Sequence, residues 1–346
     1  MRTLVISDLH LGSRLERDVL RRPAALAALV AALDGVDRLV LLGDVVELLE
    51  GRLRVAITLA EPVLAEIGRA MAGREVVVVL GNHDHALVRP WLRRRMMPSG
   101  KAIGLAGRVP ASSSKGLARV VAALRPARVR VQYPGVWVTP AVYATHGHYL
   151  DRHLVAEDSR SARLLGTVPT EKARAEDYEA AAGPSIAALQ GLLATTLPRP
   201  IGEPLDQLAG LARRASFAAL PIVSALPGSA LLAPLSAGLL GFQFRRTGLP
   251  AMGQVAARLR VRADHVIFGH LHRLGALEGD DAYEWRPLGL RQLHNTGSWV
   301  YEPLLLAGSS ARNPYWPGGA VLVEDDAAPR AVNLLAGVAA AELRPS

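Results

Sequence analysis

The chain has 346 residues, half of them apolar, with 40 basic against 31 acidic side chains, a net charge of +9 and no cysteine. That length carries a sizeable core, and the missing cysteines exclude disulfides and thiolate metal sites, so any metal must rest on His, Asp, Glu or Asn. Lys101, Lys115 and Lys172 are the only lysines, and a surface charged mainly by arginine favours polyanionic partners, nucleic acid and acidic lipid headgroups alike.

In chain order, the hydrophobic pattern predicts a strand over 3–7, an Ala/Leu-rich helix from Pro23 to Leu33, a strand over 38–44, a helix over 53–72 and a strand over 75–84. Continuous apolar strands separated by helices imply a parallel sheet covered on both faces. With the first strand starting at residue 3, no room is left ahead of it for a leader, and the expected location is cytoplasmic. Residues 86–127 read as Arg-rich and irregular, with a helix-like stretch in SSSKGLARVVAAL. Further strands are predicted over 128–133, 141–146, 266–272, 292–300 and 318–325, and 152–262 reads as mostly helical. No internal repeat is visible. The expected organisation is a core from 1–150 and 263–346, interrupted by a helical, apolar insertion over 151–262.

Polar residues collect at the predicted strand ends: DLH (8–10), GD (43–44), GNHD (81–84), THGH (145–148) and GHLH (269–272). In parallel sheets, functional groups gather at the carboxyl ends of strands. Asp8 and His10 stand two apart, so on an extended chain they would point the same way toward one common point. His10, His83, His146, His148, His270 and His272 all fall in these motifs, an ordering that scattered core histidines would not adopt.

Taken as a set, the five motifs resemble those of the calcineurin-like metallophosphoesterases, over about 1–150 and 263–325. The resemblance implies an α/β fold, a βαβ sandwich of two packed mixed sheets flanked by helices, with the insertion as a helical cap. It also implies two divalent metal ions, manganese first and iron or zinc next. Asp8, His10 and His272 would hold one ion, Asn82, His146 and His270 the other, and Asp44 would bridge them. His83 would be the catalytic group beside the ions, with Asp84 as its orienting partner or, equally, as a turn or helix cap. His146 and His148 compete for one ligand place. The family pattern favours His146, leaving His148 in a supporting role. His85, His153, His265 and His294 match no ligand position and are expected on the surface or in the core, while Asn295, Gly297 and Ser298 form a supporting turn.

The residue chemistry fits those roles. A shared carboxylate sets the spacing of two cations, and a neutral Asn oxygen ligates without cancelling the charge a phosphate needs. An imidazole alongside can protonate a leaving oxygen.

The second motif reads GDVVE, placing Glu47 where many relatives carry a second aspartate, as a supporting or helix residue. With SDLHLG, GNHDHAL and HGHYLD, this looks most like the branch containing UDP-2,3-diacylglucosamine diphosphatases, which cleave a lipid-linked pyrophosphate at a membrane surface.

Residues 215–244 carry no charge and are flanked by Arg213–Arg214 and Arg245–Arg246. The stretch exceeds the roughly 20 residues of a membrane span, but a single crossing would separate His146 from His270. Pro221, Pro227 and Pro234 also interrupt it. It is expected as a buried helical subdomain or dimer contact, or as a cap touching an anionic membrane at its inner face. The leading reading is dinuclear hydrolysis of a phosphodiester or pyrophosphate, with an amphiphilic, lipid-linked substrate. The alternatives are a nuclease or nucleotide phosphodiesterase, to which Arg93, Arg94 and Arg95 would lend phosphate grip, and a non-catalytic scaffold. An apolar insertion is unlike a basic, aromatic-rich nucleic-acid channel.

Overall fold

A computed structural model of the protein describes residues 1–154, 172–180, 247–287, 290, 292–306, 310–325 and 327–345. Its described strands are β1 (Arg2–Ile6), β2 (Arg38–Leu42), β3 (Glu75–Val79), β4 (Ala106–Arg108), β5 (Arg128–Thr139), β6 (Val142–Thr145), β7 (His265–Phe268), β8 (Leu274–Gly275), β9 (Gln292–Thr296), β10 (Gly319–Glu324) and β11 (Arg330–Asn333). They form one mixed sheet in the order β11-β10-β1-β2-β3-β5-β6-β7-β9-β8, with β4 beside β5. β1, β2, β3 and the first part of β5 run parallel, as do β6, β7 and β9. The two parallel sets meet where β5 turns from β3 to an antiparallel pairing with β6.

One hydrogen-bonded path runs through both halves, which are joined by β5. The predicted strand over 128–133 continues to Thr139. Pro134–Gly135 looks like a stop in sequence, but Pro134 sits opposite Ala106 and Gly135 opposite Thr145, so pairing carries on through them. β4 and a helix α3 (Arg89–Arg95) emerge from the stretch read as irregular.

Four earlier helices pack on the core: α1 (Pro23–Ala32), α2 (Leu53–Ala70), α3 and α4 (Lys115–Ala123). Proline opens α1, where its missing N–H costs nothing. Along α2, Ala56, Ile57, Ala60, Leu64 and Ile67 recur at three- and four-residue steps and are buried as one stripe. Ser114 caps α4 by accepting from Leu117 N at 3.1 Å. Side chains alternate across the central strands. Leu4, Ile6, Leu39, Leu41, Val76 and Val78 join the helix-covered cluster, while Val5, Val40, Leu42, Val77 and Val79 join a second cluster with Val136, Val138, Val142, Ala144 and Ile267 from the other half of the sheet.

Within the insertion, the described parts include helices α5 (Ala175–Ala180) and α6 (Leu249–Arg258). The apolar stretch 215–244 lies outside the described residues. Among the described residues no helix is long and apolar enough to cross a membrane.

Candidate metal centre

The strands end earlier than their hydrophobic runs imply: β1 at Ile6, β2 at Leu42, β3 at Val79, β7 at Phe268. The motif residues therefore stand in the loops beyond. Asp8 and His10 do not converge by the two-residue period of an extended chain. Both have left-handed backbones, with φ of 54° and 45°. Asp44, His270 and His272 share that conformation, so five of the seven described non-glycine residues with positive φ are residues singled out as metal ligands. Such a backbone costs about 1–3 kcal/mol per residue and persists only when its surroundings impose it. The concentration here marks a site built at the expense of local comfort.

Glycines let the loops close on one another. Gly43 adopts a φ of +85°, and a Cβ there would collide with the His146 ring. A Cβ on Gly81 would strike Asp44.

Three groups of side chains bring potential donor atoms within 4.8 Å of one another: Asp8, His10 and His272; His10, Asp44 and His83; and Asp44, His146 and His270. Asp44 belongs to two of them. Its Oδ2 lies 3.0 Å from His146 Nε2 and 3.8 Å from His10 Nε2, and its Oδ1 accepts from the His83 backbone N–H at 2.8 Å. Asn82 completes the second side, its Oδ1 2.9 Å from His146 Nε2.

Two atoms test whether this set fits a metal. Asp8 Oδ1, 3.2 Å from His272 Nε2, and His10 Nε2 are enclosed yet lack any partner in hydrogen-bonding geometry. A buried polar atom left unpaired costs about 1–3 kcal/mol, and here both orphans belong to the carboxylate and imidazole that a divalent cation takes as ligands. The residues fit.

Hydrogen bonds elsewhere fix which ring nitrogen each histidine offers. His10 uses Nδ1 on Glu47 Oε2 at 2.8 Å, His146 uses Nδ1 on the Leu42 carbonyl at 2.9 Å, and His270 uses Nε2 on Asp151 Oδ1 at 2.8 Å. A partner on one nitrogen presents the other as a ligand and raises its basicity. Burial opposes charge on His146, but the Asp44 and Asp8 carboxylates outweigh it and raise its pKa to about 9. For Asp44, burial acts upward, and the surrounding imidazoles overcome it and hold the carboxyl below its usual range.

His83 pairs with Glu47, not with Asp84: its Nδ1 lies 2.6 Å from Glu47 Oε2. Burial disfavours its charged form, yet the Glu47 and Asp44 charges raise its pKa above 6.5. Asp84 instead accepts backbone N–H groups, from Val45 at 2.8 Å and Gly81 at 2.6 Å, and so ties the second motif's loop to the third. Burial and the nearby Asp44 charge push its pKa up to about 6. The turn role, rather than the orienting role, is the one its contacts show.

His148 lies beside His146, ring centres 5.6 Å apart. The Asn295–Ser298 turn abuts the site loops: Asn295 Nδ2 donates to the Gly269 carbonyl at 2.8 Å, and Trp299 N to the Asp8 carbonyl at 3.0 Å. Of the histidines not assigned as ligands, His85 and His153 bond Glu179 and Tyr178 of α5, and His265 and His294 pair with each other at 3.1 Å. Sequence reasoning left Glu47 without a partner and passed over Asp151 and Glu179. Asp151 stood in the quoted HGHYLD, five residues past His146, but nothing in its spacing tied it to His270.

Residues 1–161 match the calcineurin-like phosphoesterase family, whose members hydrolyse phosphate ester bonds. The matched span carries four of the five motifs; GHLH lies beyond it. No curated protein matches the chain significantly.

Proposed function

We propose that the chain hydrolyses a phosphodiester or pyrophosphate bond at a dinuclear metal centre, with Asp8, His10 and His272 on one ion, Asn82, His146 and His270 on the other, and Asp44 shared. The observation that carries this reading is Asp44's membership of two adjoining donor groups, flanked by enclosed, unpartnered ligand atoms. The chemistry such a pair supplies is neutralisation of the phosphoryl oxygens and a water-derived nucleophile near neutral pH. Manganese is the first candidate, with iron or zinc next.

The chain's own groups divide the remaining work. Glu47 takes an N–H from both His10 and His83, so one carboxylate orients a ligand and the catalytic imidazole together. With Nδ1 committed to Glu47, His83 keeps Nε2 to hydrogen-bond the phosphoryl group or to protonate the leaving oxygen. Asn82 contributes an oxygen without negative charge. The apolar cluster shared by the two halves of the sheet supports treating them as facing layers, with 1–150 and 263–346 as the core and 151–262 as a cap.

The uncharged stretch with arginine pairs on both flanks supports an amphiphilic, lipid-linked substrate met at an anionic membrane surface, on the cytoplasmic side. The test is hydrolysis by stripped protein resupplied with Mn²⁺, comparing a lipid-linked nucleotide pyrophosphate in micelles with a soluble chromogenic diester. Preference for the lipid is the expected result. Activity on the soluble ester alone would sink the lipid reading, and activity on neither would sink the phosphoesterase reading.

A further inference from the structure

The stretch after the third motif carries charge of one sign. From His85 to Leu150 the chain has no Asp or Glu, while arginine recurs throughout. Acids from elsewhere answer some of these cations: Glu61 pairs with Arg119 at 2.8 Å and Glu75 with Arg130 at 2.6 Å. Arg89, Arg93, Arg94 and Lys101 are exposed and form no ion pair among the described residues. In sequence they bracket Met96 and Met97, which are 41% and 59% exposed.

The tip that presents these residues is anchored at its base. Helix α3 turns Trp91 and Leu92 into the core and leaves Arg93 and Arg94 outside. Arg95 folds back, its guanidinium 5.0 Å from the centre of the Trp91 ring and its Nη1 donating to the Lys101 carbonyl at 3.4 Å. Gly100 N donates to the Met97 carbonyl at 2.7 Å. The loop carrying the two methionines is thereby closed. Hydrogen-bonded turns link α3 back to the third motif, from Leu87 N to the Asp84 carbonyl at 2.9 Å, from Val88 N to His85 at 3.0 Å and from Trp91 N to Val88 at 2.9 Å. Because α3 follows the carboxyl end of β3, the tip stands at the end of the sheet that carries the metal-centre loops.

Like charges crowded on one helix repel, and exposed methionines bury no apolar area. An anionic bilayer relieves both. Its headgroups attract arginine, and apolar side chains beside the arginines enter the layer beneath while the guanidinium groups stay at the headgroups. Nucleic acid answers the charge alone. Over residues 85–101 the one aromatic ring besides His85 is Trp91, buried beneath Arg95, so this face offers no exposed ring on which bases could stack.

Resting on the membrane-surface reading above, we propose that α3 and the Met96–Met97 tip form a docking surface for an anionic bilayer, separate from the uncharged stretch 215–244, and that docking there brings the carboxyl ends of the strands, with their metal centre, to the membrane.

The test uses the full-length protein and vesicles of phosphatidylcholine, with and without about one-third phosphatidylglycerol. The wild type should sediment with the anionic vesicles and be released by high salt. Arg93→Gln with Arg94→Gln should weaken binding about 30-fold, at about fivefold for each surface arginine, with the circular dichroism spectrum and thermal midpoint unchanged. Met96→Ser with Met97→Ser should weaken it at least about tenfold. Peroxide oxidation mapped on peptides locates the contact. Anionic vesicles should protect Met96 and Met97 but not Met1, which is 47% exposed at the opposite end of the parallel strands. Wild-type binding without that protection, or binding unmoved by the arginine pair, would overturn the α3 surface and leave the membrane reading to the uncharged stretch. Tighter binding to duplex DNA than to anionic vesicles at the same salt would overturn it in favour of a nucleic-acid face. No binding to anionic vesicles would overturn the inference and the membrane reading together, and hydrolysis of the soluble chromogenic diester by the same sample would show that the phosphoesterase reading had not failed with them.

Discussion

Glu47 contacts two histidines with one oxygen, 2.8 Å from His10 Nδ1 and 2.6 Å from His83 Nδ1. Its removal should therefore do one thing that removal of His83 does not, which is to loosen the metal. Glu47→Ala should weaken metal binding and activity together, each about 10–100-fold, the usual effect of deleting a group that orients a ligand. His83→Ala should leave two metals bound while kcat falls by about 10²–10⁴. Metal analysis beside initial rates separates the two variants, and identical behaviour would refute the shared-acceptor role. Asp84→Asn separates the two roles that the sequence left open for Asp84. If Asp84 serves the loops, the variant should lower thermal stability more than it alters the pH dependence of kcat. A displaced acid limb with unchanged stability would favour it as the orienting partner of His83.

Among the elements, the loops beyond the strands carry the information that the sequence only half disclosed. Apolar runs such as EVVVV and RLVLL announced β3 and β2, and polar residues after them announced the site, because strands buried on both faces read as unbroken apolar runs. The left-handed turns at Asp8, His10, Asp44, His270 and His272 left only a weak trace, since Asp and His favour that region more than other side chains do but still enter it rarely. Glu47 was visible as an acid in the wrong place, yet its two partners lie 37 and 36 residues away in sequence, beyond any local rule. Asp151 and Glu179 were hidden for the same reason. Gly43 offers a direct check on how tightly these loops are set. Gly43→Ala faces both a φ of +85° and the His146 ring, so it should destabilise the fold by at least about 1–3 kcal/mol and reduce metal content. Urea denaturation with metal analysis reads both effects, and a stable, fully loaded variant would show the loop to be pliable.

For the molecule as a whole, stability should carry two signatures. The first is pH. His294 is buried against His265, and burial with that neighbour's charge lowers its pKa to about 3. The unfolded chain takes up this proton near pH 6.5, while the folded one resists until about 3. The contribution is thus intact above 6.5 and is lost as pH falls, with a limiting slope of about 1.4 kcal/mol per pH unit. The difference in unfolding free energy between metal-free wild type and His294→Gln should show that slope between pH 6 and 4, and a flat difference would refute it. The second signature is metal. Chelation should lower the thermal midpoint, since an ion at 100 times its dissociation constant adds about 2.7 kcal/mol, and Mn²⁺ should restore it.

The Asp8 carboxylate takes the backbone N–H of His270 at 3.0 Å, across 262 positions of chain. On the ribosome those two residues are made far apart in time. A chain made only as far as Gly269 has Asp8, His10 and Asp44 but lacks the last two histidines of the proposed centre. Chemistry at the proposed site therefore waits until His270 and His272 have been made.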